Sequence, residues 1–153
     1  MLKFFLADLQ EGVRVEVEGQ YDPKNIDVEF SDMNYPAPIL IKGEVEKSAG
    51  TLRFEGILTT QVRQTCGRCL KENIKKLSEN FDWIYETEGK EVIDPVENIR
   101  ELLILDHPLV YLCKENCKGL CPVCGKDRNE NPCKCQQTGY HSFPIIKKKS
   151  KKE

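Results

Sequence analysis

The stretch CKENCKGLCPVCGKDRNENPCKC, residues 113–135, decides how the C-terminal part of this chain folds. It holds six of the eight cysteines, and the other two lie upstream in TCGRC, as Cys66 and Cys69. CGRC and CPVC are CxxC turns, which present two sulfur atoms to one metal ion. The Gly, Pro and Asn content leaves this stretch without a hydrophobic core of its own, so a metal is needed to hold it together.

The eight thiols predict one or two zinc ions, because four soft thiolates suit tetrahedral zinc. The simplest division gives two sets of four: Cys121, Cys124, Cys133 and Cys135 around one ion, and Cys66, Cys69, Cys113 and Cys117 around another. The rival is a single site, in which Cys121 and Cys124 join two of Cys113, Cys117, Cys133 and Cys135. In that case Cys66 and Cys69 are free or pair with the tail.

Two readings without a resident metal compete with this one. Eight cysteines in a secreted protein would indicate four disulfides, but the N-terminal segment turns polar too soon for a secretory signal. A CxC pair together with CxxC pairs also occurs where oxidation releases zinc and exposes a chaperone-like surface. The redox role therefore stays open beside the metal site.

Charge is distributed unevenly along the chain. Residues 1–112 carry 13 Lys and Arg against 21 Asp and Glu, whereas residues 113–153 carry 10 against 4. A basic end suits phosphate contacts, and the candidate RNA-binding residues are Lys118, Lys126, Arg128, Lys134, Lys147, Lys148 and Lys149. Tyr140 and Phe143 could stack on unpaired bases. The alternative is a solvated surface with a solubilising tail.

The N-terminal part alternates apolar and charged residues, as strands with one wet face do. VRVEVEG from Val13 predicts a strand, residues 39–64 predict a hairpin around Gly50, and residues 73–86 predict a further strand. In that last strand, Ile74, Leu77, Phe81 and Trp83 point inward if a bulge lies after Ile74.

One helix is predicted near residues 95–106. Asp94 can cap it, Glu97 completes a capping-box pattern, and Ile99, Leu102, Leu103 and Leu105 or Asp106 fall on one face. We therefore predict an α+β protein with an antiparallel sheet that can curl into a barrel. Its parts are a strand-rich body (1–112), a cysteine-rich zinc-binding segment (113–139) and a basic flexible tail (140–153).

Nothing in the sequence predicts catalysis. Catalytic zinc keeps an open position and commonly uses His ligands, but the chain has two histidines only. His107 beside the helix end is expected to be partly packed, and His141 to lie on a surface. No run of about 18 apolar residues occurs, so we predict a cytoplasmic protein without a membrane partner.

The order of these parts resembles the YceD family, the large ribosomal RNA subunit accumulation proteins. The likeness rests on TCGRCL, DPVENIRELLILDHPL and LCKENCKGLCPVCGKDRNENPCKC, and it spans about residues 10–136. It implies a role in accumulating, processing or assembling large-subunit ribosomal RNA, without a known catalytic activity. It also places Cys66 and Cys69 in a mid-chain pair and Cys117, Cys121, Cys124, Cys133 and Cys135 in a terminal cluster.

The resulting hypothesis is a non-enzymatic ribosome-biogenesis factor. Its basic zinc-binding end would hold precursor ribosomal RNA, or a protein bound to that RNA. The alternatives are a protein-binding adaptor that never touches RNA and a redox-regulated zinc chaperone.

Overall fold

The computed structural model describes residues 1–28 and 30–135, and the fold is mostly antiparallel sheet with one α-helix in that part of the chain. The elements are β1 (Phe4–Phe5), β2 (Arg14–Tyr21), β3 (Met33–Asn34), β4 (Ile39–Ser48), β5 (Thr51–Thr65), β6 (Glu72–Glu86), β7 (Val92–Ile93) and α1 (Val96–Leu105), with a short 3-10 helix at Pro23–Asn25.

The main sheet is built around β5, which is 15 residues long. On one side β5 pairs with β6 along its whole length, and on the other it pairs first with β4 and then with β3. β2 lies outside β4, while β1 and β7 form a separate two-stranded ladder. The predicted hairpin between β4 and β5 is confirmed, with Ala49 and Gly50 at its turn.

Two facing glycines let the sheet curl into a half-barrel. Gly43 of β4 lies opposite Gly56 of β5. A Cβ atom at either position would fall 2.2 Å from a backbone carbonyl oxygen of the other strand. Only glycine permits so close an approach of two backbones, so the sheet bends here.

The core fills the inner face of this curl. Phe54 on β5 is fully buried and makes edge contacts with Phe4 and Phe81, at ring-centroid distances of 5.0 and 4.7 Å. Helix α1 adds Ile99 and Leu103, both with no exposed surface. The predicted α+β class with an antiparallel, curled sheet is confirmed.

The start of α1 agrees with the sequence in part. The Asp94 carboxylate accepts a hydrogen bond from the Val96 backbone N–H at 3.0 Å, as a cap should. Glu97 lies 3.9 Å from the Arg100 guanidinium instead of closing a capping box. At the other end, Leu105 is 76% exposed and does not belong to the buried face predicted for it.

Strand β6 corrects a second expectation. Its pairing with β5 runs without interruption from Glu72 to Glu86, so no bulge follows Ile74. Strict alternation then places Ile74 on the face opposite to Leu77, where its side chain is 52% exposed. Leu77 and Phe81 are buried as predicted.

The described residues contain no helix with the length and apolar character needed to cross a membrane. The division of the chain into body, cysteine-rich segment and tail stays a prediction, and residues 140–153 lie outside the described part.

Candidate metal centres

The structure gathers the cysteines into the two sets of four that the simplest division predicts. In each set the four sulfur atoms all lie within 4.8 Å of one another. We call them cluster 1 (Cys66, Cys69, Cys113, Cys117) and cluster 2 (Cys121, Cys124, Cys133, Cys135). All eight cysteines lie in the described residues, and none of them is in a disulfide.

The sulfur spacing fits a tetrahedral thiolate site. Metal–sulfur bonds of about 2.3 Å place tetrahedral sulfurs roughly 3.8 Å apart. In cluster 1 the sulfur of Cys66 lies 3.9 Å from that of Cys117, and the sulfur of Cys69 lies 3.6 Å from that of Cys113. Each cluster can therefore hold one metal ion. Four thiolates would complete its coordination, which is the pattern of structural sites and not of catalytic ones.

The two CxxC turns have the same backbone. In the first, the Cys66 N–H donates to the Lys71 carbonyl at 2.9 Å, and the Leu70 N–H donates back to the Cys66 carbonyl at 2.9 Å. In the second, Cys121 and Gly125 repeat both bonds at 2.8 Å, with Lys126 in the place of Lys71. The residue after each second cysteine has a positive φ, 59° at Leu70 and 70° at Gly125. We call these turns knuckle 1 (66–71) and knuckle 2 (121–126).

In each knuckle, backbone hydrogen bonds lower the pKa of the first cysteine. Burial raises the pKa of Cys66, but hydrogen bonds from three backbone N–H groups outweigh it and lower that pKa to about 6. Two backbone N–H groups within knuckle 2 lower the pKa of Cys121 to about 6. The opposite holds for Cys113, where desolvation raises the pKa to about 12, and for Cys135, where bonding to the Cys124 thiol does so. In cluster 1 desolvation raises the pKa of Cys117, but the Gly119 N–H and the Asn129 amide outweigh it and lower that pKa too. Each cluster therefore has at least one thiol that is deprotonated more readily than a free cysteine.

Cluster 1 joins distant parts of the chain. Cys66 lies directly after β5, and Cys69 lies before β6, whereas Cys113 and Cys117 follow the helix. Backbone contacts strengthen this junction. The Gly67 N–H donates to the Tyr111 carbonyl at 2.9 Å, and the Leu120 N–H donates to the Arg68 carbonyl at 3.0 Å.

Gly119 lets the two segments approach at this junction. It has a φ of 67°, and a Cβ atom at its position would fall 2.8 Å from the Arg68 carbonyl oxygen. A side chain there would therefore force the cysteine-rich segment away from knuckle 1.

A polar network supports cluster 1 from the loop between the last two cysteine pairs. The Asn129 side-chain amide donates to the Cys117 sulfur at 3.4 Å and to the Asp127 carboxylate at 2.7 Å. Lys71 of knuckle 1 pairs with that carboxylate at 2.9 Å and also with Glu130. The Asn129 N–H and the Lys71 ammonium together lower the pKa of Asp127 to about 2.

Sequence reasoning missed Lys71, Asp127, Asn129 and Glu130. By itself the stretch KDRNE indicates only a turn that returns the chain to the metal. The available signal is its mixture of acids and an amide among otherwise basic residues, since such groups can serve as ligand supports.

Four of the predicted RNA-binding residues belong to the described part of the chain, and they lie around the clusters. Lys118, Lys126 and Lys134 are exposed, and Arg128 is half-buried. Within residues 1–28 and 30–135 none of these four forms an ion pair, so their charges are available to a ligand. The other predicted contacts lie outside the described residues: Lys147, Lys148, Lys149, Tyr140, Phe143 and His141.

His107 is partly packed, as expected, and belongs to neither cluster. Its ring stacks on Phe30 at a centroid distance of 4.6 Å, and its Nε2 lies 3.2 Å from the Asp32 carboxylate.

Comparison with known proteins confirms the resemblance to the YceD family. Residues 84–148 match the model of the family described as large ribosomal RNA subunit accumulation protein YceD. That match includes all six C-terminal cysteines but neither Cys66 nor Cys69. No solved structure matches the chain.

Two curated relatives carry the same family name. "Large ribosomal RNA subunit accumulation protein YCED homolog 1, chloroplastic" from Zea mays is 24% identical over 154 residues, 72% of this chain and 53% of its own length. The protein of the same name from Arabidopsis thaliana is 24% identical over 147 residues, 67% of this chain and 46% of its own length. The chain thus spans about half the length of the curated relatives it matches.

Proposed function

We propose that this chain, with its YceD-type cysteine segment, is a non-enzymatic factor that promotes accumulation or processing of large-subunit ribosomal RNA. The observation that carries the proposal is the family match over residues 84–148, which includes all of cluster 2, two of the four ligands of cluster 1 and the basic residues around them. The curated relatives are named for accumulation of this RNA.

Zinc is the proposed ion in both clusters. Four sulfur ligands without histidine or carboxylate favour zinc over harder cations, and cysteines that are not in disulfides are available for it. Bound there, zinc would supply folding energy and not chemistry. The closed ligand sets are the reason for proposing that the chain is not an enzyme.

The basic end is proposed to contact RNA phosphates. Lys118 and Lys126 are exposed beside the clusters, without carboxylate partners in the described residues. A rigid metal-folded base would hold such charges at fixed positions, so that fewer side chains need to be ordered when RNA binds. The proposed compartment is the cytoplasm, and the partner is precursor ribosomal RNA or a protein on it.

The test is a gel-shift titration of deproteinised large-subunit precursor RNA over a salt series. The double variant Lys118→Gln, Lys126→Gln should reduce the slope of log affinity against log salt by about one for each phosphate that a lysine no longer neutralises. The control Lys75→Gln, Lys76→Gln removes the same charge from two exposed positions of β6 and should leave the slope unchanged.

One result would contradict direct RNA contact, and a second would favour a different function. Equal slopes for both double variants would leave the protein-binding adaptor as the better hypothesis. Loss of metal on peroxide treatment, together with a gain in suppression of aggregation, would favour the redox-regulated chaperone instead.

A further inference from the structure

An exposed apolar surface lies beside knuckle 1, apart from the basic residues of the proposed function. Leu109 is 98% exposed, Val110 66% and Leu70 62%. These three side chains line one cleft of about 410 Å³, together with Asp32 and Tyr111 among others. We call Leu70, Leu109 and Val110 the Leu109 surface. Aliphatic side chains at this exposure are costly in water, and grouped together they mark an interaction site.

Leu70 gives an independent reason to regard this surface as functional. It occupies the position that Gly125 fills in knuckle 2, with the same hydrogen bond and the same left-handed backbone. For a non-glycine residue that backbone conformation is strained, because the Cβ atom lies too close to the following carbonyl oxygen. A glycine would fold the knuckle without this strain. Leu70 thus combines a strained backbone with an exposed side chain, which favours a contact outside the chain.

The acidic groups near the Leu109 surface favour a cationic partner, and the nearby cation Arg68 is turned to the Cys117 carbonyl, to which it donates at 3.0 Å. Helix α1 ends just before it, has no basic residue in its last turn and is capped by Asp106. The negative end of the helix dipole and the Asp106 carboxylate thus add, and Asp106 has no ion pair within residues 1–28 and 30–135. Asp32 lines the cleft itself, and His107, at 3.2 Å, is its described ion-pair partner.

We propose that the Leu109 surface docks a protein segment in which aliphatic side chains lie next to lysine or arginine. The aliphatic residues would enter the cleft against Leu70, Leu109 and Val110. The adjacent cation would compensate Asp106, Asp32 and the helix end. The site favours such a segment over RNA, because phosphates would face the Asp32 carboxylate and, of the residues that line the cleft, Tyr111 alone offers bases an aromatic ring.

The same chemistry occurs within this chain, in FPIIKKK at residues 143–149, and that segment is the competing occupant. A second copy of the chain would present the identical segment. The test has to separate these cases from a foreign protein, and it must not depend on the proposed role in ribosomal RNA.

The first experiment places a photo-crosslinking amino acid at position 109 of the full chain in cells. Leu109 is almost fully exposed, so the substitution should not disturb folding. The control position is Ile84, which is 68% exposed on the outer face of β6. We expect adducts at position 109 to exceed those at position 84 about tenfold, with peptides from another protein that carry an aliphatic residue within a few positions of lysine or arginine.

The second experiment measures direct binding. A synthetic peptide of the captured sequence is titrated into the purified, metal-loaded chain. Leu70→Gly should weaken binding about tenfold or more, because it removes a central apolar contact, while the melting temperature stays the same or rises. Ile84→Ser removes an equally exposed apolar side chain elsewhere and should leave the affinity unchanged.

The proposal is overturned by any of four results. These are adducts at position 109 no more abundant than at position 84, adducts to RNA, adducts to residues 136–153 of this chain, and a peptide that Leu70→Gly binds as well as the unaltered chain. Failure of the RNA titration above affects none of these readouts, so the two proposals can fail separately.

Discussion

Clusters 1 and 2 use the same knuckle for different purposes. In cluster 1 the other two ligands come from residues 113–117, far along the chain, whereas in cluster 2 they come from residues 133–135, close to their knuckle. One therefore ties the cysteine-rich segment to the sheet, and the other folds that segment locally. A CxxC sequence thus predicts the local geometry of a ligand pair but not how far the other ligands lie from it.

We therefore expect cluster 1 to stabilise the sheet and helix of the body, and cluster 2 to stabilise only the cysteine-rich segment. Crosslinking a loop of about 50 residues stabilises a fold by on the order of 4 kcal/mol when the crosslink limits the unfolded chain. Cluster 1 closes such a loop around β6 and α1. Cluster 2 closes a short loop, residues 121–135, which is described throughout and contains no strand or helix.

The largest expected effect on stability is that of removing one ligand from cluster 1. Cys66→Ser should leave one bound metal ion per chain and lower the free energy of unfolding of the body by about 3–4 kcal/mol. Cys133→Ser should also leave one ion but change the stability of the body by less than about 0.5 kcal/mol. Native mass spectrometry gives the metal count, and urea unfolding followed by Trp83 fluorescence gives the stability of the body.

This comparison has a second readout in limited proteolysis. We expect Cys66→Ser to be cut between residues 106 and 112, where the segment is no longer tied to knuckle 1. Cys133→Ser should be cut only after residue 121. Equal unfolding free energies for the two variants would contradict the division of roles between the clusters.

The supporting network gives a smaller effect confined to cluster 1. Asn129→Ala removes the amide that donates to the Cys117 sulfur and to Asp127. We expect the metal affinity of cluster 1 to fall about 10- to 100-fold, as for other groups that orient metal ligands, with cluster 2 unchanged. Chelator competition monitored by a zinc dye should then show one early and one late release step, and two unchanged steps would contradict a supporting role.

The thiol pKa values predict how the metal-free chain responds to pH. The pKa values of Cys66 and Cys121 are lowered from 9.0 to about 6, so the folded chain holds these thiolates more readily than the unfolded chain. Their stabilising contribution is fully present above pH 9 and is lost as the pH falls through about 6. Urea midpoints of chelated protein should therefore rise between pH 6 and 9. The double variant Cys66→Ser, Cys121→Ser should have a flatter profile over that range.

The sequence predicted the parts of this molecule that depend on local rules. Alternation predicted the β4–β5 hairpin. Cysteine spacing predicted the two CxxC pairs and gave the two clusters as the simplest division, with a single site left open, since a CxxC turn brings two sulfurs together wherever it occurs. The predicted inward position of Ile74 was wrong. The face to which each β6 side chain points is set by the uninterrupted pairing of β6 with β5, and one apolar residue does not change it.

Contacts between segments distant in sequence were beyond such rules. The pairing of Lys71 with Asp127 and the exposure of Leu105 arise only when the cysteine-rich segment and the helix take their places. The left-handed conformation of Leu70 was also hidden, because a leucine after CxxC gives no sign of positive φ, whereas the glycine in CPVCG does.

The smallest expected effect comes from exchanging the residues that follow the two CxxC pairs. Leu70→Gly relieves the left-handed leucine but adds freedom to the unfolded chain, so it should raise the free energy of unfolding by between 0 and about 1 kcal/mol. Gly125→Ala should weaken knuckle 2 by about 1 kcal/mol through backbone strain alone, because a Cβ atom there meets nothing within 4 Å. Thermal unfolding of the metal-loaded chain measures the first change, and chelator competition at cluster 2 measures the second. A Leu70→Gly chain that is less stable by about 1 kcal/mol or more would show that the leucine side chain serves the fold of knuckle 1, and the contrast between the two knuckles would then reflect packing instead of an outside contact.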